Sequence, residues 1–148
     1  MPDIVSNPKA RRDYAVLESI EAGIVLRGTE VKSLRAGGGQ LSEAYALIEN
    51  GEAWLHNAHI DEYAQGNRQN HQPKAVRKLL LHQSEIRRLF DAASVKGQAL
   101  IPLALYWKNG KVKVALGVCR SKRQYDKREA IKQRESDQQL RRLALHRQ

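Results

Sequence analysis

The side chains that could carry acid–base or metal chemistry are few and scattered. The 148 residues include five histidines and a single cysteine, Cys119. His56 and His59 are three apart on a predicted strand and its exit, a spacing that puts them on opposite faces. Neither they nor His71 and His82 have a carboxylate pair or a further ligand placed beside them. We therefore expect surface or hydrogen-bonded histidines, and we predict no metal, no cofactor and no enzymatic activity.

The chain has a large excess of cationic side chains. Lys and Arg number 26 against 16 Asp and Glu, which gives a formal net charge of +10 and a pI near 10.0. This balance favours a polyanionic partner, because each phosphate that a cation neutralises releases condensed counterions. An anionic membrane surface is the alternative, but no stretch opposes a strong apolar face to a basic one. The longest apolar run, 99–107, is too short to span a bilayer.

The chemical environment expected for the chain is a reducing one. A single cysteine excludes a disulfide framework and a cysteine-based zinc cluster. The first residues, MPDIVSNPKARRDY, contain no apolar signal core. A cytoplasmic location is the simplest interpretation.

The cations are concentrated in a C-terminal tail, residues 119–148. Ten of these residues are Lys or Arg and four are Asp or Glu, so the tail carries +6 of the net charge. Its apolar residues are too few to build a core: Ile131, Leu140, Leu143 and Leu145. We expect the tail to be disordered when free and helical once an RNA partner supplies the missing contacts. A solvated, solubilising terminus is the alternative, and charge alone does not separate the two.

Residues 1–12 are expected to form a flexible basic arm at the other end of the chain. Pro2 and Pro8 discourage helix there. Three cations lie just before the first strand signal: Lys9, Arg11 and Arg12. A frayed terminus and a phosphate contact are both open interpretations of this arm.

Two short strands are predicted next, over residues 14–20 and 24–27, because β-branched and aromatic residues dominate both segments. Gly23, in the three-residue break between them, predicts a bulge or sharp bend of the kind that a coiling barrel strand needs.

A two-turn helix is predicted within residues 28–39. Thr29 suits its N-cap, and Gly37 suits a left-handed C-terminal cap. Two pairs of residues define its faces: Val31 with Leu34 toward the core, and Lys32 with Arg35 on a different side. The glycines after the helix resemble a phosphate-binding loop, but the Gly-Lys-Ser/Thr ending is missing, so we interpret them as a helix stop and a turn.

Two hairpins are predicted around Asn-Gly pairs, the strongest short hairpin signal. The turns are Asn50-Gly51, between residues 43–49 and 52–57, and Asn109-Gly110, between residues 98–107 and 111–118. The last strand alternates cleanly, with one apolar face formed by Val112, Val114, Leu116 and Val118. Pro102 removes a backbone donor from its strand, so we place it at an edge or a bulge.

The stretch between the hairpins combines a long irregular connection with a strand and a helix. A connection as long as residues 58–76 inside a compact domain is often functional. The sequence RKLLLH, residues 77–82, predicts a buried strand, so pattern alone assigns Leu80 to the core. Ser84 can cap a helix that ends near residue 93, with one apolar face: Ile86, Leu89 and Phe90.

These elements predict a mainly β fold: a small antiparallel barrel of the oligonucleotide-binding type, with about two short helices on its rim and the basic tail appended. Three regions are expected: the arm at 1–12, the barrel at 13–118 and the tail at 119–148. Such barrels bind nucleic acid through a basic surface and irregular loops, and they need no catalytic residues.

Several long motifs in this chain are similar to those of one bacterial family. They are NPKARRDY (7–14), EAGIVLRGTEVKSLRAG (21–37), NGEAWLHNAHI (50–60), GNRQNHQP (66–73), RKLLLH (77–82), IPLALYWKNGKVKV (101–114) and SKRQYDKR (121–128). In this order and spacing they resemble the SmpB family, the SsrA-binding proteins. The resemblance implies an adaptor of trans-translation, monomeric when free, that binds the tRNA-like domain of transfer-messenger RNA (tmRNA) and delivers it to stalled ribosomes.

The resemblance also implies which residues bind. Within the barrel, the family's recurring RNA-binding cluster matches Glu21, Leu80 and Lys113, with His82 alongside. The other RNA-binding candidates are cations and one aromatic residue: Lys9, Arg11, Arg12, Tyr14, Lys32 and Arg35. In the tail, the residues expected in the empty mRNA channel and at the decoding centre, facing ribosomal RNA, are Lys122, Arg123, Tyr125, Asp126, Lys127, Arg128, Ile131 and Lys132.

Four positions depart from the family pattern. Arg12 stands where histidine is usual, and Ala75 stands where a second arginine is common, which removes a phosphate contact. Ser121 replaces a glycine, which stiffens the hinge into the tail. Ser136 stands where some members carry an aromatic residue.

There are two alternatives to the adaptor function. One is a general RNA-binding or ribosome-assembly barrel. The other is a histidine-dependent nuclease, for which the chain lacks an ordered His/Lys/Glu constellation.

Overall fold

The computed structural model describes residues 3–122, 133–135 and 137–141. The strands are β1 (Asp3–Ser6), β2 (Tyr14–Ile24), β3 (Gly39–Gln40), β4 (Tyr45–Glu49), β5 (Glu52–His56), β6 (His59–Ile60), β7 (Arg77–Leu80), β8 (Gln98–Lys108) and β9 (Lys111–Ser121). The helices are α1 (Pro8–Asp13), α2 (Gly28–Arg35) and α3 (Gln83–Ala93), with a 3-10 turn at Asn67–Gln69. The predicted mainly β class is confirmed.

Antiparallel pairing closes the main sheet into a barrel. The strand order is β1-β8-β4-β5-β7-β2-β9, and β9 also pairs with β8, so six of the seven strands form a ring and β1 adds to the outside of β8. The β2–β9 and β8–β9 ladders are long, whereas a single residue pair, Ala46 with Leu100, joins β4 to β8. Closure of this kind removes most of the unpaired strand edges.

The interior of the barrel is filled by the alternating apolar faces of the strands. Four residues of β9 are at most 6% exposed, as its pattern predicts: Val112, Val114, Leu116 and Val118. Both Asn-Gly turns have positive φ at both positions, 52° and 75° in the first and 53° and 75° in the second, which is type I′ geometry. The register of β8 against β9 shifts just after Pro102, so the predicted bulge is confirmed.

The N-terminal segment that was predicted to be a flexible arm is folded in the structure. Part of it packs in a second, smaller apolar cluster on the outside of the barrel. It contains Ala10, Ile101, Leu103 and Cys119. Strand β1 pairs with β8, and α1 begins at Pro8, where the missing N–H costs no helical hydrogen bond. Asn7 caps α1, and its buried amide donates to the carbonyls of Leu41 (3.1 Å) and Pro102 (2.8 Å). Residues 3–12 are therefore part of the folded domain.

The boundary of the tail also moves. Cys119 is 0% exposed, and Ser121 pairs with Tyr14 at the end of the β2–β9 ladder. Residues 119–121 therefore belong to the barrel, and the predicted start of the tail was too early. The pattern in this region is hard to interpret because Cys119 belongs to the outer apolar cluster rather than to the barrel interior.

Other element boundaries differ from the predictions because pairing overrides local signals. Strand β2 runs without the predicted break at residues 21–23, and its register shifts between Val16 and Glu18 instead of at Gly23. Arg27, predicted to end a strand, caps α2, so Thr29 lies inside that helix. Gly37, with φ of +83°, is left-handed as predicted.

Helix α3 begins one residue before its predicted cap. His82 rather than Ser84 is its N-cap, and β7 ends at Leu80. Ile86 and Leu89 are buried as predicted, but Phe90 is 53% exposed and leaves the apolar face of the helix.

A buried polar network holds the long connection between β6 and β7. The guanidinium of Arg77 pairs with the carboxylate of Glu30, and the two side chains are 2% and 4% exposed. Arg77 Nη1 also donates to the carbonyl of Ala58 at 2.7 Å. The buried ring of His71 links Thr29 Oγ1 (2.9 Å) to the carbonyl of Ile60 (2.8 Å). The connection is irregular in conformation but tied to α2 by specific contacts.

Within the described ranges, no three or more His, Cys, Asp or Glu side chains group closely enough to hold a metal ion. Helices long and apolar enough to cross a bilayer are likewise absent from residues 3–122, 133–135 and 137–141.

Candidate nucleic-acid interface

An open groove lies on the outer face of the barrel where β2, β7 and β9 run side by side. Gly23 of β2 pairs with Leu80 of β7 on one side and with Lys113 of β9 on the other. The groove has a volume of about 460 Å³ and is lined by Glu21, Gly23, Leu80, Leu81, His82, Glu85 and Lys113. All four residues predicted for the RNA-binding cluster of the barrel therefore meet here.

Leu80 is the apolar floor of this groove. Its side chain is 52% exposed, whereas Leu79 beside it is 1% exposed and points into the barrel. The pattern-based assignment of Leu80 to the core is therefore wrong, since three consecutive leucines carry no polar marker of the alternation. The absence of a side chain at Gly23 matters, because a Cβ there would lie 3.1 Å from the Cβ of Leu80. A glycine within a strand was the signal for this close approach.

Glu21 is a carboxylate of the groove that is held in place by two hydrogen bonds. It accepts a hydrogen bond from the hydroxyl of Tyr106 at 2.7 Å and pairs with Lys108 Nζ at 3.0 Å. These two bonds, Tyr106 first, lower the pKa of Glu21, and the charge of Lys113 lowers it further. The carboxylate can accept from a base amino group or a 2′-hydroxyl, or it can hold Lys108 toward a phosphate.

Tyr106 was not among the predicted site residues, although it lies within the predicted strand 98–107 and two residues before Lys108. Burial, followed by the hydrogen bond to Glu21, raises its pKa to about 12. The phenol therefore stays protonated at neutral pH and continues to donate to the carboxylate.

Lys113 is placed to meet a phosphate. It lies between Gly23 and Tyr106 in the two ladders, and its side chain is partly exposed on the outer face. Among the residues that the structure describes, Lys113 has no hydrogen bond or ion pair. A lysine so placed can pair with a phosphate as a point charge.

The two cations of α2 each lie over an aromatic ring. Lys32 Nζ lies 5.6 Å from the ring centroid of Tyr63, and the guanidinium carbon of Arg35 lies 5.3 Å from that of Trp107. Trp107 lines a second depression that shares residues with the groove. Neither aromatic partner was predicted, because each belongs to a segment distant in sequence from α2.

The candidates of α1 and the start of β2 lie elsewhere. Tyr14 and Gly23 are nine residues apart on β2, about 30 Å at ~3.3 Å per residue. The pKa of Lys9 is raised, chiefly by its hydrogen bond to Glu43 and the accompanying charge attraction, and the two atoms are 2.9 Å apart. Arg11 and Arg12 are exposed, and Tyr14 packs against the outer apolar cluster. The structure does not bring these residues into the groove.

Most of the residues predicted for the tail lie outside the described part of the chain: Arg123, Tyr125, Asp126, Lys127, Arg128, Ile131 and Lys132. The same holds for Ser136. Lys122 is exposed and directly follows β9. Residues 133–135 and 137–141 are helical and exposed, and Gln133 donates to Asp137 at 3.2 Å.

Fold and groove together define a class, that of small antiparallel barrels with an open binding groove on an uncovered strand face. Residues 4–146 match the family model described as SmpB protein. The SsrA-binding protein of Levilactobacillus brevis is 54% identical over 143 residues, which span 97% of this chain and 91% of that protein. The SsrA-binding protein of Desulforudis audaxviator is 52% identical over 141 residues, 95% of this chain and 92% of that protein.

A solved structure agrees with these matches. It is described as "tmRNA-SmpB: a journey to the center of the bacterial ribosome", and one of its chains aligns with a TM-score of 0.69 at 47% identity over 78% of this chain and 82% of that chain. The chain belongs to the SmpB family.

Proposed function

We propose that this protein is an RNA-binding adaptor of trans-translation, which binds the tRNA-like domain of tmRNA and delivers it to stalled ribosomes in the cytoplasm. The carrying observation is the groove, in which strand register brings Glu21, Leu80 and Lys113 together. An acceptor, an apolar floor and a cation on an uncovered strand face suit an RNA loop. The family relationship supplies the identity of that RNA.

The proposed function divides labour between the barrel and the tail. The barrel holds the RNA through the groove and the neighbouring α2 cations. The tail that follows Lys122 enters the empty mRNA channel and the decoding centre. In this role the protein positions RNA and does no covalent chemistry, which is consistent with a site built around a lysine and an ion-paired glutamate.

A competition experiment tests the RNA assignment. Labelled tRNA-like domain of tmRNA is titrated with the protein at near-physiological salt, with total tRNA as competitor. Binding that survives a large excess of tRNA is the expected result. Binding lost to an equal amount of tRNA would leave only a general RNA-binding barrel, and the adaptor function would have to be withdrawn.

A further inference from the structure

A second depression, here called the notch, opens beside the groove at one end of the barrel. It measures about 270 Å³ and is bounded on one side by Gly110 of the second hairpin turn and on another by Val31 of α2. It shares Gly23, Leu80 and Lys113 with the groove, so the two depressions adjoin each other. Nothing in the sequence analysis pointed to it.

The notch is apolar inside and cationic at its rim. Its apolar lining includes Ile24, Leu26, Val31, Trp107 and Val112. Lys111 and Lys113 line it as well, and the guanidinium of Arg35 covers the ring of Trp107. Within the described ranges neither lysine has a hydrogen bond or an ion pair, so both charges are available to a ligand.

The apolar walls and the cationic rim of the notch together favour one class of ligand. A free phosphate would find cations but would gain nothing from the apolar walls. An aromatic side chain of a protein partner would fill the walls but would leave the lysines without an anion. A nucleotide satisfies both, because its base is flat and its phosphates are charged, and bases stack on aromatic rings and on arginine guanidinium planes.

We propose that the notch receives one unpaired nucleobase of the bound RNA, which contacts Trp107 and Arg35 while the adjoining phosphates face Lys111 and Lys113. This proposal rests on the proposed function for the identity of the RNA, and it adds a base-binding pocket to the groove. Because the notch and the groove share three lining residues and adjoin each other, one RNA loop can occupy both.

Fluorescence tests the contact directly, since the chain has only two tryptophans, Trp54 and Trp107. Trp54 lies on β5 opposite Leu47, outside the groove and the notch, so Trp54→Phe leaves Trp107 as the single reporter. Titration with the tRNA-like domain of tmRNA is expected to quench its emission, with the same midpoint as a gel shift. Full binding by gel shift with unchanged emission would overturn the proposal.

A filling substitution tests the pocket independently. Val31→Trp occupies the notch without removing a cation, and Val95→Trp places the same side chain at an exposed position, 43% accessible, beyond α3. We expect Val31→Trp to weaken binding about tenfold or more, the effect of losing one stacked base, with an unchanged salt dependence. Val95→Trp is expected to bind like the wild type. Equal affinities of the two variants would count against the notch.

The outcomes separate this proposal from the one on which it rests. Preference for the tRNA-like domain over tRNA, without quenching and without an effect of Val31→Trp, would overturn the base pocket alone. Quenching by tRNA as strongly as by the tRNA-like domain would support the pocket and overturn the adaptor assignment. If the wild-type protein bound neither RNA, both proposals would fall.

Discussion

Lys113 is the residue whose position in the groove depends most directly on strand register. It is flanked by Gly23 and Tyr106 on neighbouring strands and has no ion-pair partner among the described residues. An ordinary solvent-facing lysine would contribute nothing specific to RNA affinity. Replacing it therefore distinguishes a binding residue from a surface charge.

We predict that Lys113→Ala weakens binding of the tRNA-like domain roughly threefold to tenfold near physiological salt and lowers the salt slope by about one counterion-equivalent. The measurement is a set of gel-shift titrations at several salt concentrations. Lys96→Ala, which removes an exposed lysine from the turn after α3, is the matched control and is expected to leave the slope close to that of the wild type. A slope unchanged by Lys113→Ala would remove this residue from the interface.

The lowered pKa of Glu21 leads to a prediction about the pH dependence of stability. Its pKa is lowered in the folded protein, chiefly by the hydrogen bond from Tyr106. A carboxyl group with a lowered folded-state pKa contributes stability that is present above its unfolded pKa, near 4.5, and that is lost as the pH falls through the folded value. The contribution is small because the site is open to solvent.

We therefore expect Glu21→Gln to melt at a lower temperature than the wild type at pH 7, with the difference shrinking as the pH falls from 5 toward 3. Thermal unfolding followed by circular dichroism measures it. Glu62→Gln, at an exposed position after β6, is the control and is expected to show no such convergence. A gap between Glu21→Gln and the wild type that stays constant down to pH 3 would contradict the assigned role of the carboxylate.

At the scale of elements, the pair between Arg77 of β7 and Glu30 of α2 fixes the long connection after β6. Both side chains are buried. Removing one partner leaves the other charge buried without compensation, which typically costs about 3–5 kcal/mol, whereas replacing both partners by apolar residues is often far less costly. Urea unfolding of Arg77→Met and of the double variant Arg77→Met with Glu30→Met measures both effects.

The neighbouring exposed pair supplies the control for that prediction. Lys78 and Glu52 are 3.1 Å apart, with side chains 40% and 43% exposed. Because solvent screens such pairs, we expect Lys78→Met to change stability by less than about 1 kcal/mol. If Arg77→Met proved no more destabilising than Lys78→Met, the connection would have to be held by its other contacts.

Elements governed by local chemistry were predictable, and those governed by distant contacts were not. Both hairpins follow from Asn-Gly turns, and the alternation of β9 identifies its buried face. Helix α1 was missed because its stability depends on Asn7, whose amide bonds carbonyls of two other segments. The unbroken course of β2 follows from its long ladder with β9, which no local pattern reveals.

The candidate site shows the same division. Lys113 and the α2 cations were predictable as exposed charges from alternation and helical spacing. The outward direction of the Leu80 side chain was not predictable, because strand register alone decides which of the three leucines points away from the core. The stacking of Arg35 on Trp107 joins residues far apart in sequence, so only the fold brings them together.

At the scale of the whole molecule, we expect the barrel and the tail to make separable contributions to function. Strand β9 extends to Ser121, and Cys119 belongs to the outer apolar cluster. Truncation after Lys122 therefore removes the tail without touching the ladder, whereas truncation after Val118 removes three paired residues. A deletion therefore tests the tail alone only if the chain is truncated after Lys122.

We predict that the chain ending at Lys122 keeps the melting temperature of the barrel and most of its affinity for the tRNA-like domain, but no longer supports tagging on stalled ribosomes. Melting curves, gel shifts and a reconstituted translation reaction measure the three properties. The chain ending at Val118 is expected to melt at a clearly lower temperature. Normal tagging by the chain ending at Lys122 would contradict the proposed role of the tail.

The β2–β9 ladder has one more consequence, which concerns length. The groove lies at the end of the ladder where Gly23 meets Lys113, and the chain leaves β9 at the other end, where Tyr14 meets Ser121. If RNA occupies the groove as proposed, the ladder sets the distance between the RNA and the first residue of the tail. Removing two residues from each of the paired strands β2, β9 and β8 would keep every side chain on its face and shorten that distance by roughly 7 Å. Reach could thus be altered independently of affinity.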